Sequence, residues 1–153
     1  MTNDFQVNFE NVMIIDDNLI DLYIVSRLVT KNNFGKKVLQ YSSAKVALQY
    51  LQENQENIPL LPEVIFVDIY MPGMSGFEFM AAYDKLPTSL KNHCRVFIIS
   101  SSIDEKDVNK ANSDINVVAM KEKPITNAFL NEVKISLAFP HPNIPFEKIK
   151  KYQ

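Results

Sequence analysis

Val64-Ile65-Phe66-Val67-Asp68-Ile69-Tyr70-Met71-Pro72-Gly73-Met74-Ser75-Gly76 opens with four apolar residues of β-branched and aromatic type. Such a run suits a short strand buried on both faces, although periodicity alone does not separate it from buried helix. It stops abruptly on one carboxylate, Asp68. The breaker Pro72-Gly73 follows, and Ser75-Gly76 precedes a helical pattern. A buried strand of this kind delivers its last residue to the carboxyl edge of a sheet, where open α/β sheets bind ligands. Asp68 is therefore the candidate working residue. A lone strand-end aspartate more often caps a loop or helix, so the case depends on what else the chain brings to the same edge.

Upstream, Val12-Met13-Ile14-Ile15 is a second apolar run that ends on carboxylates, Asp16-Asp17, with Asn18 placed to cap a helix. From Leu19 to Thr30 the pattern is helical, with Ile20, Ile24 and Leu28 four apart on one face and Tyr23 beside them. Asn32-Asn33-Phe34-Gly35 ends that helix. Lys36 to Tyr41 reads as a strand around Val38-Leu39, and Ser42 to Asn54 as a helix using Val46, Leu48, Tyr50 and Leu51. Gln55 to Pro62 is a loop.

Downstream, Gly76 to Leu86 is helical and Pro87 stops it. Leu90 to His93 reads as a connection. Val96-Phe97-Ile98-Ile99 is a further strand that ends in Ser100-Ser101-Ser102. A polar helix, Asp104 to Ser113, and a strand, Ile115 to Met120, follow. Lys121-Glu122-Lys123-Pro124 breaks the chain before an amphipathic helix, Ile125 to Phe139, with Phe129, Val133 and Leu137 in register.

Strands and helices thus alternate, five of each. That alternation predicts an α/β fold: a doubly wound parallel sheet with helices on both faces, because parallel neighbours need right-handed helical crossovers. All strand C-termini then share one edge. Asp16-Asp17, Asp68, Ser100 and Lys123 each follow a strand end, so they converge there from distant parts of the chain.

Composition limits the function classes. The 153 residues are 46% hydrophobic and 22% charged, ordinary for one soluble globular domain. A chain this long buries roughly 70% of its unfolded surface, enough for a core without staples. A formal net charge of -2 gives no pull toward nucleic acid or an anionic membrane. The single cysteine, Cys94, excludes an internal disulfide and fits a reducing compartment. Residues 1–11 lack a signal-peptide layout, and no apolar run approaches the ~18 residues of a membrane span. The expected location is the cytoplasm.

The edge cluster has a definite chemistry. Carboxylates held about 4–5 Å apart repel by roughly 3–4 kcal/mol per pair at an effective dielectric of ~20. A hard divalent ion such as Mg²⁺ relieves that repulsion, and no His or Cys set is present to argue for zinc. A carboxylate also serves as a nucleophile toward phosphorus, forming an aspartyl phosphate. The incoming oxygens then need the metal, a cation and a hydroxyl donor, and Lys123 and Ser100 supply the last two. Taken singly, Lys123 reads as a solvated loop charge and Ser100 as a turn hydroxyl.

Asp16-Asp17, Asp68 with Met71-Pro72-Gly73-Met74-Ser75-Gly76, Ser100, and Lys123-Pro124, in that order and each at a strand end, resemble the receiver domain of two-component response regulators over residues 10–139. The resemblance implies the flavodoxin-like strand order 2-1-3-4-5. It implies that Asp68 accepts a phosphoryl group from the phosphohistidine of a sensor histidine kinase or a histidine phosphotransfer protein. It implies that Asp17, Asp68 and the Tyr70 backbone carbonyl hold Mg²⁺, with Asp16 assisting through water. Ser100 is expected to bond the phosphoryl group in the active form and Lys123 to pair with it. Pro124 is expected to follow a cis peptide bond. In the family, phosphorylation draws the hydroxyl inward and repacks the face around the fifth strand and its two flanking helices.

Two positions individualise the chain. Met120 stands where the family usually carries an aromatic switch residue, so softer coupling between Ser100 and the output face is expected. Tyr70, two beyond Asp68, either screens an acyl phosphate from water or is an exposed ring without a kinetic role. The expected layout is an N-terminal extension (1–10), the receiver domain (11–139) and a Pro-rich tail (140–153) whose few lysines do not argue for nucleic-acid binding. A stand-alone receiver that signals through an output protein, or relays the phosphoryl group, is the simplest organisation, with at most slow self-dephosphorylation in place of enzyme turnover. Two rivals remain. One is a receiver-shaped adaptor that is never phosphorylated. The other is a Mg-dependent aspartyl-phosphate phosphatase of the dehalogenase type, which fits poorly because it carries an acid where this chain has Tyr70. A flavodoxin-like cofactor binder fits badly, since Asp16-Asp17-Asn18 would repel a phosphate.

Overall fold

A computed structural model describes residues 9–138. The N-terminal extension, apart from residues 9 and 10, and the Pro-rich tail lie outside the described residues. The elements are β1 (Phe9–Ile15), α1 (Leu19–Lys31), β2 (Gly35–Tyr41), α2 (Ala44–Glu53), β3 (Val64–Asp68), α3 (Gly76–Tyr83), α4 (Thr88–His93), β4 (Arg95–Ser100), α5 (Glu105–Ser113), β5 (Val117–Glu122) and α6 (Asn127–Ala138), with one 3₁₀ turn at Ile58–Leu60. All strand pairings are parallel and the order is β2-β1-β3-β4-β5, the flavodoxin-like doubly wound sheet expected from the sequence.

Strand alternation sorts the core into two layers. Met13, Ile15, Ile65, Val67, Val96 and Ile98 face α2, α3 and α5. Val12, Ile14, Val64, Phe66, Phe97 and Ile99 face α1 and α6. The second layer is aromatic: Phe66 lies 5.7 Å from Phe97 and 6.2 Å from Phe129, and Phe97 meets Phe129 edge-on at 6.0 Å. Each such ring pair adds about 0.5–1.5 kcal/mol beyond the burial of its area. β3, buried along its whole length, is therefore anchored on both faces, and Asp68 at its end inherits a fixed position.

The helix starts are set by their caps. Asn18 Oδ1 accepts the backbone N–H groups of Ile20 and Asp21 at 3.0 and 3.1 Å, so α1 begins directly beyond Asp16-Asp17. Ser75 and Glu78 form a reciprocal capping box on α3. The loop between β3 and α3 folds back on the strand end: Gly76 N–H donates to the Ile69 carbonyl at 2.7 Å. A Cβ at residue 76 would overlap the Asp68 carbonyl oxygen, which is why Gly stands there.

Three expectations need correction. Among the described residues the α-helices number six: the stretch read as a connection lies within α4, a single turn and a half that buries only Leu90 and is too short to show periodicity. On α1 the buried residues are Leu22, Ser26 and Val29, whereas Ile20, Tyr23 and Ile24 are exposed. The helix has apolar residues on both sides, so spacing alone chose the wrong face. β5 starts two residues later than expected, and Ile115 is 89% exposed.

Candidate functional site

β1 and β3 are neighbours with Ile15 opposite Val67, so the next residues, Asp16 and Asp68, emerge side by side on the carboxyl edge. Both are buried and Asp17 is exposed. Carboxylate oxygens of Asp16, Asp17 and Asp68 all lie within 4.8 Å of one another, which makes this an all-oxygen donor set of the kind a hard divalent ion takes. Asn18 N–H donates to Asp16 Oδ1 at 2.9 Å and fixes that carboxylate against its own loop.

Lys123 reaches the cluster from the end of β5. Its backbone N–H donates to the Ser100 carbonyl at 2.8 Å, and the Lys123–Pro124 peptide is cis. The ammonium lies 2.8 Å from Asp16 Oδ2, 2.8 Å from Asp21 Oδ2 and 3.7 Å from Asp68 Oδ1. Burial works against a charged Lys123, but the hydrogen bonds it donates to Asp16 and Asp21 outweigh it and raise its pKa. Asp68 is pushed the other way in charge terms: burial, with help from Asp16 and Asp17, raises its carboxyl to about 6 despite Lys123 and the Ile69 N–H. One ammonium does not neutralise four acids, and the residues present fit an added divalent cation. A pocket of about 260 Å³ adjoins the site, with Asp68, Lys123 and Ser101 on its wall beside Ile14, Phe66 and Ile99.

The hydroxyl expected to join this cluster faces elsewhere. Ser100 continues the alternation of Val96 and Ile98 toward the opposite face of the sheet. It is fully buried, donates to the Ser102 carbonyl at 3.0 Å and accepts the Ser102 N–H at 3.2 Å. Met120, also buried, shares that layer, with Ile98 as its strand partner. Tyr70 is 56% exposed. Its hydroxyl donates to the carboxylate of Asp107 on α5, and that bond pushes the phenol up to about 12. Asp107, Asp21 and Ser101 were not singled out from the sequence. Asp21 was findable: a residue in the first turn of a helix that starts at the carboxyl edge stays near that edge. The Tyr70–Asp107 contact spans 37 positions and had no local signal.

The response regulator receiver domain family matches residues 12–133. A curated relative described as a two-component response regulator, ARR13 of Arabidopsis thaliana, is 32% identical over 126 residues, covering 80% of this chain and 20% of its own length. The chain therefore spans about a fifth of that relative. Among solved structures, a two-component response regulator from Cytophaga hutchinsonii superposes with a TM-score of 0.78 at 26% identity, covering 85% of this chain and 97% of that one. A response regulator receiver protein from Dyadobacter fermentans gives a TM-score of 0.75 at 28% identity, covering 86% and 99%. The fold and its edge of acids define a receiver domain. The chain belongs to the response regulator receiver domain family. Receiver domains of this family bind Mg²⁺ in an acidic pocket, work with histidine kinases or phosphotransfer proteins, and are phosphoacceptors more than catalysts. Among the described residues, no helix is long and apolar enough to cross a membrane.

Proposed function

We propose that this receiver takes a phosphoryl group on Asp68 from the phosphohistidine of a sensor histidine kinase or a histidine phosphotransfer protein. The observation that carries the reading is the meeting of Asp16, Asp17, Asp68 and Lys123 at one strand edge. An Asp68 carboxylate oxygen forms the new O–P bond, the N–P bond to the donor imidazole breaks, and the imidazole leaves with the electron pair and picks up a proton. Asp17, Asp68 and the Tyr70 carbonyl would hold Mg²⁺, with Asp16 helping through water, and the ion when bound neutralises charge on the phosphoryl oxygens. Lys123, 3.7 Å from Asp68, moves the short distance onto a phosphoryl oxygen. Ser100 leaves its bond with Ser102 to donate to another, and Met120 fills the space it vacates. That population shift carries the signal toward an output protein. Leu19, Ile20 and Tyr23, exposed on α1 beside the site, support docking of the phosphoryl donor there. The reading puts the chain in the cytoplasm.

A phosphatase of the dehalogenase type has no support at residue 70, where the hydroxyl is committed to Asp107. Acetyl phosphate with Mg²⁺ tests the proposal. The chain is expected to gain the mass of one phosphoryl group at Asp68, and Asp68→Asn to gain none. Many turnovers of a diffusible ester, or labelling that survives Asp68→Asn, would contradict it.

A further inference from the structure

Among the described residues the Lys123 ammonium has two hydrogen-bond partners, and one of them, Asp21, stands outside the acid trio. Asp21 Oδ2 is as close to Nζ as Asp16 is, 2.8 Å in both cases, whereas Asp68 Oδ1 is 3.7 Å away. An ammonium has three protons. Two are committed to Asp16 and Asp21, and the contact with Asp68 is an ion pair beyond hydrogen-bond reach. The Asp21 carboxylate has no capping task, because Asn18 already serves the N–H groups at the start of α1. The side chain is about two-thirds covered, with 33% exposed, so the pair with Lys123 is shielded from full solvent screening.

We propose that Asp21 is a positioning residue that restrains Lys123, so that phosphoryl capture at Asp68 requires the ammonium to be drawn off Asp21. The proposal rests on the reading of Asp68 as phosphoacceptor. Two effects act in the same direction. Asp21 competes with the phosphoryl oxygens for the Lys123 protons. It also places a further negative charge beside the position an anionic phosphoryl group takes. Asp16 does not play this part, because it belongs to the acids that gather around a metal. A purely structural Asp21 would act through the positive end of α1. Its removal would then lower stability and leave anion affinity alone.

The test titrates the full chain with beryllofluoride at saturating Mg²⁺ and records the thermal midpoint of each variant separately. Asp21→Ala is expected to bind on the order of tenfold tighter than wild type. Asp21→Asn, which keeps shape and a weaker acceptor, is expected to fall between them, and Asp21→Glu to return to within about twofold of wild type. Unchanged or weaker binding by both Asp21→Ala and Asp21→Asn overturns the restraint, as does Asp21→Glu binding as tightly as Asp21→Ala. A wild type that takes no beryllofluoride overturns the phosphoacceptor reading and this inference with it. A wild type that binds, with variants that match it, overturns the inference alone.

Discussion

On the flank of Asp68 toward α1 and α6, charged groups are tied by short contacts: Lys123 touches Asp16 and Asp21 at 2.8 Å and stands 3.7 Å from Asp68. On the flank toward α5, the hydroxyl of Ser100 is bonded to Ser102 in its own loop, and a side-chain hydrogen bond from the Asp68 loop to α5 is made by the exposed Tyr70 reaching Asp107. The difference has a physical cause. Opposite charges satisfy one another before any ligand arrives, so a charge-handling wall is assembled in advance. A buried hydroxyl without a phosphoryl oxygen must find another acceptor, and Ser100 finds it two residues on. On the proposed function, the first flank captures a phosphoryl group and the second reports it.

Removing Lys123 breaks the first flank most severely. Its side chain is 16% exposed, and Lys123→Ala leaves buried acids without their cation. A loss of about 3 kcal/mol in unfolding free energy is expected, read from a denaturant midpoint, with part of it returned by Mg²⁺. An unchanged midpoint would show that the acids need no counter-charge.

A smaller effect follows from Asp68 itself. Its folded carboxyl, at about 6, lies above the ordinary value of 3.8, so the folded chain holds that proton more tightly than the unfolded chain does. The resulting stabilisation is complete below pH 3.8 and is lost as the pH climbs through about 6. Asp68→Asn keeps the shape without the charge. In metal-free protein the variant is expected to gain on wild type as pH rises from 4 to 7, by about 2 kcal/mol at the upper end. Saturating Mg²⁺ is expected to close the gap. Parallel stability curves for the two proteins would contradict the buried-charge account.

The smallest change concerns the second flank. Tyr70→Phe removes the hydroxyl that binds Asp107 while keeping the ring. Amide exchange within α5 is expected to quicken by about two- to fivefold, with β4 unaffected. Equal exchange would mean that α5 is held without this contact.

Much of this arrangement was legible in the residues. Each buried strand announced itself as an apolar run ending on a polar residue, and that punctuation brought Asp16, Asp17, Asp68 and Lys123 to one edge. Helix faces were less legible. α1 carries apolar residues on both sides, so Ile20 and Ile24 mimicked a core face while Ser26, a polar residue, went inside. α4 has one buried anchor, Leu90, and one anchor has no period. The direction of Ser100 was hidden for a different reason: order along the chain gives a residue's place on the edge, whereas its side depends on strand alternation carried to the last position. Asp107 and Tyr70 meet only because α5 packs beside the β3–α3 loop, which no local pattern encodes.

The most direct test is a crystal structure of the chain with Mg²⁺ and beryllofluoride. Beryllium is expected on an Asp68 oxygen, with Lys123 Nζ moved from Asp21 onto a fluorine and Ser100 Oγ swung from Ser102 onto another. Beryllofluoride bound away from Asp68, or bound there with Lys123 still on Asp21 and Ser100 still on Ser102, would contradict it.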